Sequence, residues 1–139
     1  MGRTILGALA GLVLAVITIM LVEFAGHAVY PPPPGLNPMV TEDMAQIIQL
    51  LPAGAMVFVV AAWILGAFDG GFVAALIARD NRPRVAAIVP ALLVIAGVVA
   101  MIVQMPGHPT WMAIAGLLLP IPAALAGAAL AAMLASKGR

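Results

Sequence analysis

The stretch GAFDGGFVAALIARDNRPR, residues 66–84, carries three kinds of information at once. Residues 66–78 are small or apolar apart from Asp69, whereas residues 79–84 bring Arg79, Arg82 and Arg84. An apolar run that stops abruptly at a cluster of arginines marks the end of a membrane span. Within the run, Gly66, Gly70, Ala74 and Ala78 recur every fourth residue, so they share one face of a helix and let a neighbouring backbone come close. Asp69 breaks the pattern with a carboxyl about ten residues, or ~15 Å of helix, before the arginines.

Read backwards from the arginines, the span extends to about Gly54. A helix needs about 20 apolar residues to cross ~30 Å of hydrocarbon, and three other segments meet the same test. The first runs from Thr4 to Val22, the third from about Val85 to Val103, and the fourth from about Thr110 to Leu134. Of 139 residues, 65% are hydrophobic and 8% charged, too few polar groups to cover a soluble domain of this length. The chain reads as all-α: a single polytopic domain, residues 1–139, with spans 4–22, 54–78, 85–103 and 110–134. The first apolar run, ~19 residues, exceeds the ~7–15 of a secretory signal, so it is expected to remain as a helix. No cysteine is present, which excludes disulfides and thiolate metal sites.

The basic residues set the orientation. Arg3 precedes the first span, Arg79, Arg82 and Arg84 fill the turn between the second and third, and Lys137 and Arg139 end the chain. All lie on one side of the bilayer. The positive-inside rule therefore predicts that both termini and the 79–84 turn are cytoplasmic. On the other side, the loop 23–53 carries Tyr30, suited to the headgroup zone, and then Pro31–Pro34, which stiffens the chain into an extended path. Thr41 reads as an N-cap, with Glu42 and Asp43 in the first turn of a short helix ending near Pro52. Its Met44, Ile47, Ile48 and Leu51 share one face, which predicts a helix lying on the membrane surface.

Two halves of the chain look alike. Val22-Glu23-Phe24-Ala25-Gly26-His27 ends the first span, and Val103-Gln104-Met105-Pro106-Gly107-His108 ends the third, using the only two histidines. The tails of the second and fourth spans agree at Ala67/Ala124, Gly70/Gly127, Ala74/Ala131, Ala75/Ala132, Ala78/Ala135 and Arg82/Arg139. This pattern predicts two parallel-repeat helical hairpins related by a two-fold axis along the membrane normal. Small-residue stripes recur at Gly7, Gly11 and Ala15 and at Ala123, Gly127, Ala131 and Ala135, marking further helix-packing faces. Pro90, Pro120 and Pro122 should kink the third and fourth spans.

Four residues are candidates for chemistry. Asp69 lies near mid-membrane, where an ionised carboxylate is costly and faces either a wet cavity or a polar partner. It reads equally as a proton or cation site and as a hydrogen-bonded carboxyl that fixes helix packing. Glu23 and His27 are neighbours one helical turn apart, and the repeat brings His108 to the matching depth. Two imidazoles and a carboxylate suit zinc, but no H-E-x-x-H or comparable spacing backs it. An interfacial ion pair with a helix-capping histidine is the better reading, and no metal is assigned. Met20, Met39, Met44, Met56, Met101, Met105 and Met112 also project into the outer half. Thioethers bind copper(I), yet the spacing is loose and methionine is an ordinary filler of apolar gaps. Trp111 fits an interfacial anchor.

The pattern E-x-x-G-H-x-x-Y-P-P-P (23–33), with the later D-G-G (69–71), resembles uncharacterised small four-helix bacterial membrane proteins. The resemblance implies a bacterial inner membrane and the same fold, and brings no activity with it. No hydrolase triad, phosphate loop or nucleotide fingerprint is present, and the basic turn is too short for nucleic acid. The sequence thus predicts a non-enzymatic protein without a cofactor, of structural or accessory type. Its partners would be the lipid bilayer, itself as a homo-oligomer, or a larger membrane complex, held through the small-residue faces. The alternative is a small proton- or metal-ion-coupled transporter working as an oligomer through Asp69 and the Glu23, His27 and His108 group.

Overall fold

A computed structural model describes residues 1–79, 82–105 and 107–137; Asp80, Asn81, Pro106, Gly138 and Arg139 lie outside the described residues. The centre of the basic turn and the Arg82/Arg139 match therefore fall outside as well. Six helices follow one another: α1 (Gly2–Val29), α2 (Thr41–Leu50), α3 (Ala53–Ala78), α4 (Pro83–Gln104), α5 (Thr110–Leu118) and α6 (Pro120–Lys137). No strand occurs among the described residues. α1, α3, α4 and the α5–α6 pair are long and apolar enough to cross a membrane. None of the buried side chains among the described residues is polar or charged.

The helix ends follow local chemistry. α1 runs seven residues past Val22, because nothing in Glu23–Val29 breaks a helix and Pro31 is the first residue that must. Pro83 opens α4 at its first position, where a missing N–H is harmless. The fourth span is interrupted at Leu119: α5 closes with the Leu119 N–H on the Ala115 carbonyl (2.9 Å), and Pro120 starts α6. Pro90, by contrast, is buried inside an unbroken α4. At the arginine end, Arg3 Nε donates to the Ile77 carbonyl (3.1 Å), tying the start of α1 to the end of α3.

α3 is the central helix. It packs on α1, α4, α5 and α6, whereas α1 touches α3 and α4 but neither α5 nor α6. This arrangement departs from the expected two-fold. A rotation that carried the first hairpin onto the second would require the first and fourth spans to meet as the second and third do. The internal repeat thus finds no support in the packing.

The arginine half is assembled almost entirely from small residues. A Cβ added to Gly11 would run into the Gly70 carbonyl, and one added to Gly70 would meet the Gly11 carbonyl and Pro90. Gly7 sits likewise against Ala74 and Ala78. On the other flank of α3, Gly71 abuts the backbone of Ala124, and Gly127 abuts that of Phe68 and Phe72. Ala75, Ala87, Ala128 and Ala131 close a small cluster between α3, α4 and α6. Bilayer hydrocarbon supplies no hydrophobic drive for helix association, so close backbone approach and dense contact hold such an interface together. The stripes Gly66, Gly70, Ala74 and Ala78 and Gly127 and Ala131 are buried, with Ala123 half-buried beside them. These stretches of the small-residue faces pack against the chain's own helices, whereas Ala135 at the end of the α6 stripe is exposed.

Toward the other end the side chains grow. Ile48, Met56, Val60, Trp63, Val94, Val98 and Met112 form the main core cluster. The Trp63 ring and Val98 lie against Gly116 of α5. α2 corrects one expectation. Its N-cap is Val40, with no side-chain cap, and Thr41 is already helical. Asp43 is engaged elsewhere, its Oδ2 accepting the Asn37 backbone N–H (2.9 Å). The apolar face of α2 turns inward: Ile47 and Ile48 are buried, with Ile48 in the core cluster, so this helix packs over the loop end of the bundle.

Candidate functional site

Pro90 fills the space where α1, α3 and α4 converge, beside Gly11 and Gly70. Beyond it the three helices line a half-open cavity of about 610 Å³. α1 contributes Val16, Ile19, Met20, Glu23 and His27; α3 contributes Met56, Phe58, Val59 and Trp63; α4 contributes Leu93, Val94, Gly97 and Met101. α2 covers the top with Met44 and Ile47, and His108 and Met112 complete the wall. The rim is exposed on α1 at Met20 (65%) and on α4 at Leu93 (41%), with Ala96 and Gly97 also exposed. The opening thus lies between α1 and α4, on the side where the bilayer would be. A Cβ at Gly97 would meet nothing within 4 Å, so the absence of a side chain there widens the mouth.

The polar groups gather at one end of this cavity. His27 sits one helical turn beyond Glu23, and its Nδ1 donates to the Glu23 carbonyl oxygen (2.8 Å). His108 Nδ1 donates in the same way to the Met105 carbonyl (2.9 Å). A carbonyl oxygen only accepts, so each bond places a proton on Nδ1 and leaves Nε2 outside the bond. The two Gly-His segments differ in detail: His108 meets the Met105 carbonyl just beyond the end of α4, where a helix leaves carbonyls open, whereas His27 adds a second donor to a carbonyl inside α1. Tyr30 stands beside them, edge-on to Phe58 with ring centroids 6.0 Å apart. The Glu23 carboxylate makes no salt bridge with His27; it is half-buried, on the cavity wall.

Glu23, His27 and His108 thus share a cavity without closing into a ligand set. Among the described residues no three His, Cys, Asp or Glu side chains are placed to hold a metal ion. Six of the seven outer-half methionines, all but Met39, line the same space. Met20 and Met105 are exposed, Met101 is half-buried against the core, and Met56 and Met112 are buried in the wall. Unbranched, polarizable thioethers give such a wall the capacity to adapt to the shape of an occupant.

Asp69 lies apart from the cavity. It is half-buried on the α1 side of α3, and the Thr18 hydroxyl donates to its Oδ2 (3.2 Å). Leu65, one turn earlier, is 45% exposed, so Asp69 stands at the lipid-facing edge of the α1–α3 seam. Thr18 escaped the sequence reading. The available signal was that it is the sole polar side chain between Thr4 and Glu23.

Comparison with models of protein families, with curated proteins and with solved structures finds no match for this chain.

Proposed function

We propose that the protein is a multi-pass protein of the bacterial inner membrane, with both termini cytoplasmic, whose outer-half cavity binds a lipid-soluble molecule entering from the bilayer. The observation that carries this reading is the cavity itself: about 610 Å³, predominantly apolar, with a few polar groups converging at one end. That size falls in the ~300–1,000 Å³ range of small-molecule sites, and the mixture of apolar wall and sparse polar groups is what such sites use for affinity and orientation. The orientation rests on Arg3, Arg79, Arg82, Arg84 and Lys137 sharing one end of the bundle.

Two other readings fare less well. An accessory role through small-residue faces needs those faces free, and the chain's own helices cover most of them. Coupled transport needs Asp69 to communicate with the outer polar group, and Asp69 does not line the cavity.

The test uses protein in lipid nanodiscs and a photoactivatable neutral probe, a long-chain alcohol bearing a diazirine. Labelling read by mass spectrometry should concentrate on Met44, Met56 and Trp63, and Gly97→Leu should abolish it there. Labelling spread evenly over lipid-facing residues such as Leu6 and Leu9 would exclude a bound ligand.

A further inference from the structure

Three acids belong to the outer half, Glu23, Glu42 and Asp43, and no lysine or arginine does. Of these acids, Glu23 alone lines the cavity. Asp43 is bonded to the Asn37 backbone, and Glu42 is exposed on α2. Beyond Glu23 the polar end of the cavity offers Tyr30 and two imidazoles whose Nδ1 atoms are already used. Deeper in, Phe58 and Trp63 present aromatic surface.

We propose that the cavity selects organic cations with a lipophilic body, with Glu23 as the counter-charge and Tyr30, Phe58 and Trp63 as the aromatic surroundings of the cationic centre. The proposal rests on the cavity being a ligand site. Ring faces attract cations through the aromatic quadrupole, most strongly where water is excluded. A carboxylate in a recess with low-dielectric walls concentrates field lines and favours positive charge. The polar groups at this end include one carboxyl and no guanidinium or ammonium, a set that suits a cation better than a carboxylate or phosphate. Phospholipid headgroups are a poor match for the same reason, since no Lys or Arg stands at this end to meet their phosphate. The route between α1 and α4 suits a molecule that partitions into the bilayer before it binds.

Tetraphenylphosphonium and tetraphenylborate have nearly the same shape and opposite charge, and triphenylphosphine oxide is a neutral relative. Binding of each to the protein in nanodiscs, corrected with empty nanodiscs, separates charge from shape. The native protein should bind the phosphonium at least about tenfold more tightly than the borate. Glu23→Gln should remove most of that preference, and Glu23→Asp should keep it. Gly97→Leu should weaken binding of all three by narrowing the mouth. If the borate or the neutral oxide binds as tightly as the phosphonium, the cation inference falls while the cavity reading stands. A preference that survives Glu23→Gln also overturns the inference. If none of the three shows saturable binding to the native protein, or Gly97→Leu leaves all three unchanged, the cavity reading falls with it.

Discussion

Gly70 and Gly97 are both glycines in the middle of apolar helices, and they do opposite work. At Gly70 the Gly11 carbonyl, the Pro90 ring and the Ala15 methyl fill the space that a side chain would need. At Gly97 there is nothing to fill it. The same contrast separates the two halves of the bundle. The arginine half is a solid of glycine and alanine in which main chains touch, and the loop half spreads around larger side chains and a hollow. Packing by small residues brings helices together, but it also makes the interface intolerant of added atoms. Methionine, tryptophan and phenylalanine hold helices further apart and leave room between them.

The largest expected effect tests the solid half. Gly70→Leu would force α1 and α4 off α3, and a loss of more than about 3 kcal/mol is expected, since overpacking by several heavy atoms exceeds the usual 1–3. The measurement is the fraction of folded protein recovered from membranes into mild detergent, with thermal unfolding of what is recovered. A stable Gly70→Leu variant would mean that the arginine half is not the rigid partner in the comparison. Next comes Asp69, midway between the halves. Asp69→Leu should favour insertion of this span by about 2.5 kcal/mol or more, the cost of a central Asp, whereas Asp69→Asn should leave the fold intact because an amide also pairs with Thr18. Glycosylation-site reporters on loop 31–40 would measure both.

A smaller effect is expected from Thr18→Val, about 0.5–1.5 kcal/mol, the usual worth of one hydrogen bond. In a double-mutant cycle with Asp69→Ala, which removes the acceptor, the two changes should be less than additive. Full additivity would separate the pair and leave Asp69 as an unsupported carboxyl at the lipid edge. The smallest expected effect is Gly97→Leu, within about 0.5 kcal/mol of the native protein. Set beside Gly70→Leu, that near-zero result is the sharpest statement of the difference between the halves. A large loss at Gly97 would show that the hollow half is as tightly fitted as the solid one.

The solid half was legible in the sequence and the hollow half was not. A stripe such as Gly66, Gly70, Ala74 and Ala78 is periodic, and periodicity maps directly onto a helix face. What the stripe could not say is whose helix it meets; here the answer is α1, within the chain. The cavity has no comparable signature. It arises because three helices converge at Gly11, Gly70 and Pro90 and diverge beyond, and because α2 folds back over them. Residues that line it, from Val16 to Met112, are scattered over five helices. Glu23, His27 and His108 were singled out for their chemical type, and their common cavity follows from tertiary geometry alone. The Thr18–Asp69 bond was hidden for a similar reason, since its partners are far apart in sequence and depth was known for only one of them.

The absence of contact between α1 and the α5–α6 pair bears on how the protein is made. A ribosome delivers the spans in order, and every neighbour of α1 has been synthesised by the time Gln104 is added. The glycine seam can therefore close while the fourth span is still in the exit tunnel, and α5–α6 then docks onto a surface of α3 and α4 that already exists. The order of contacts suits vectorial assembly: every contact of α1 lies within the first three spans, and the fourth span packs onto α3 and α4.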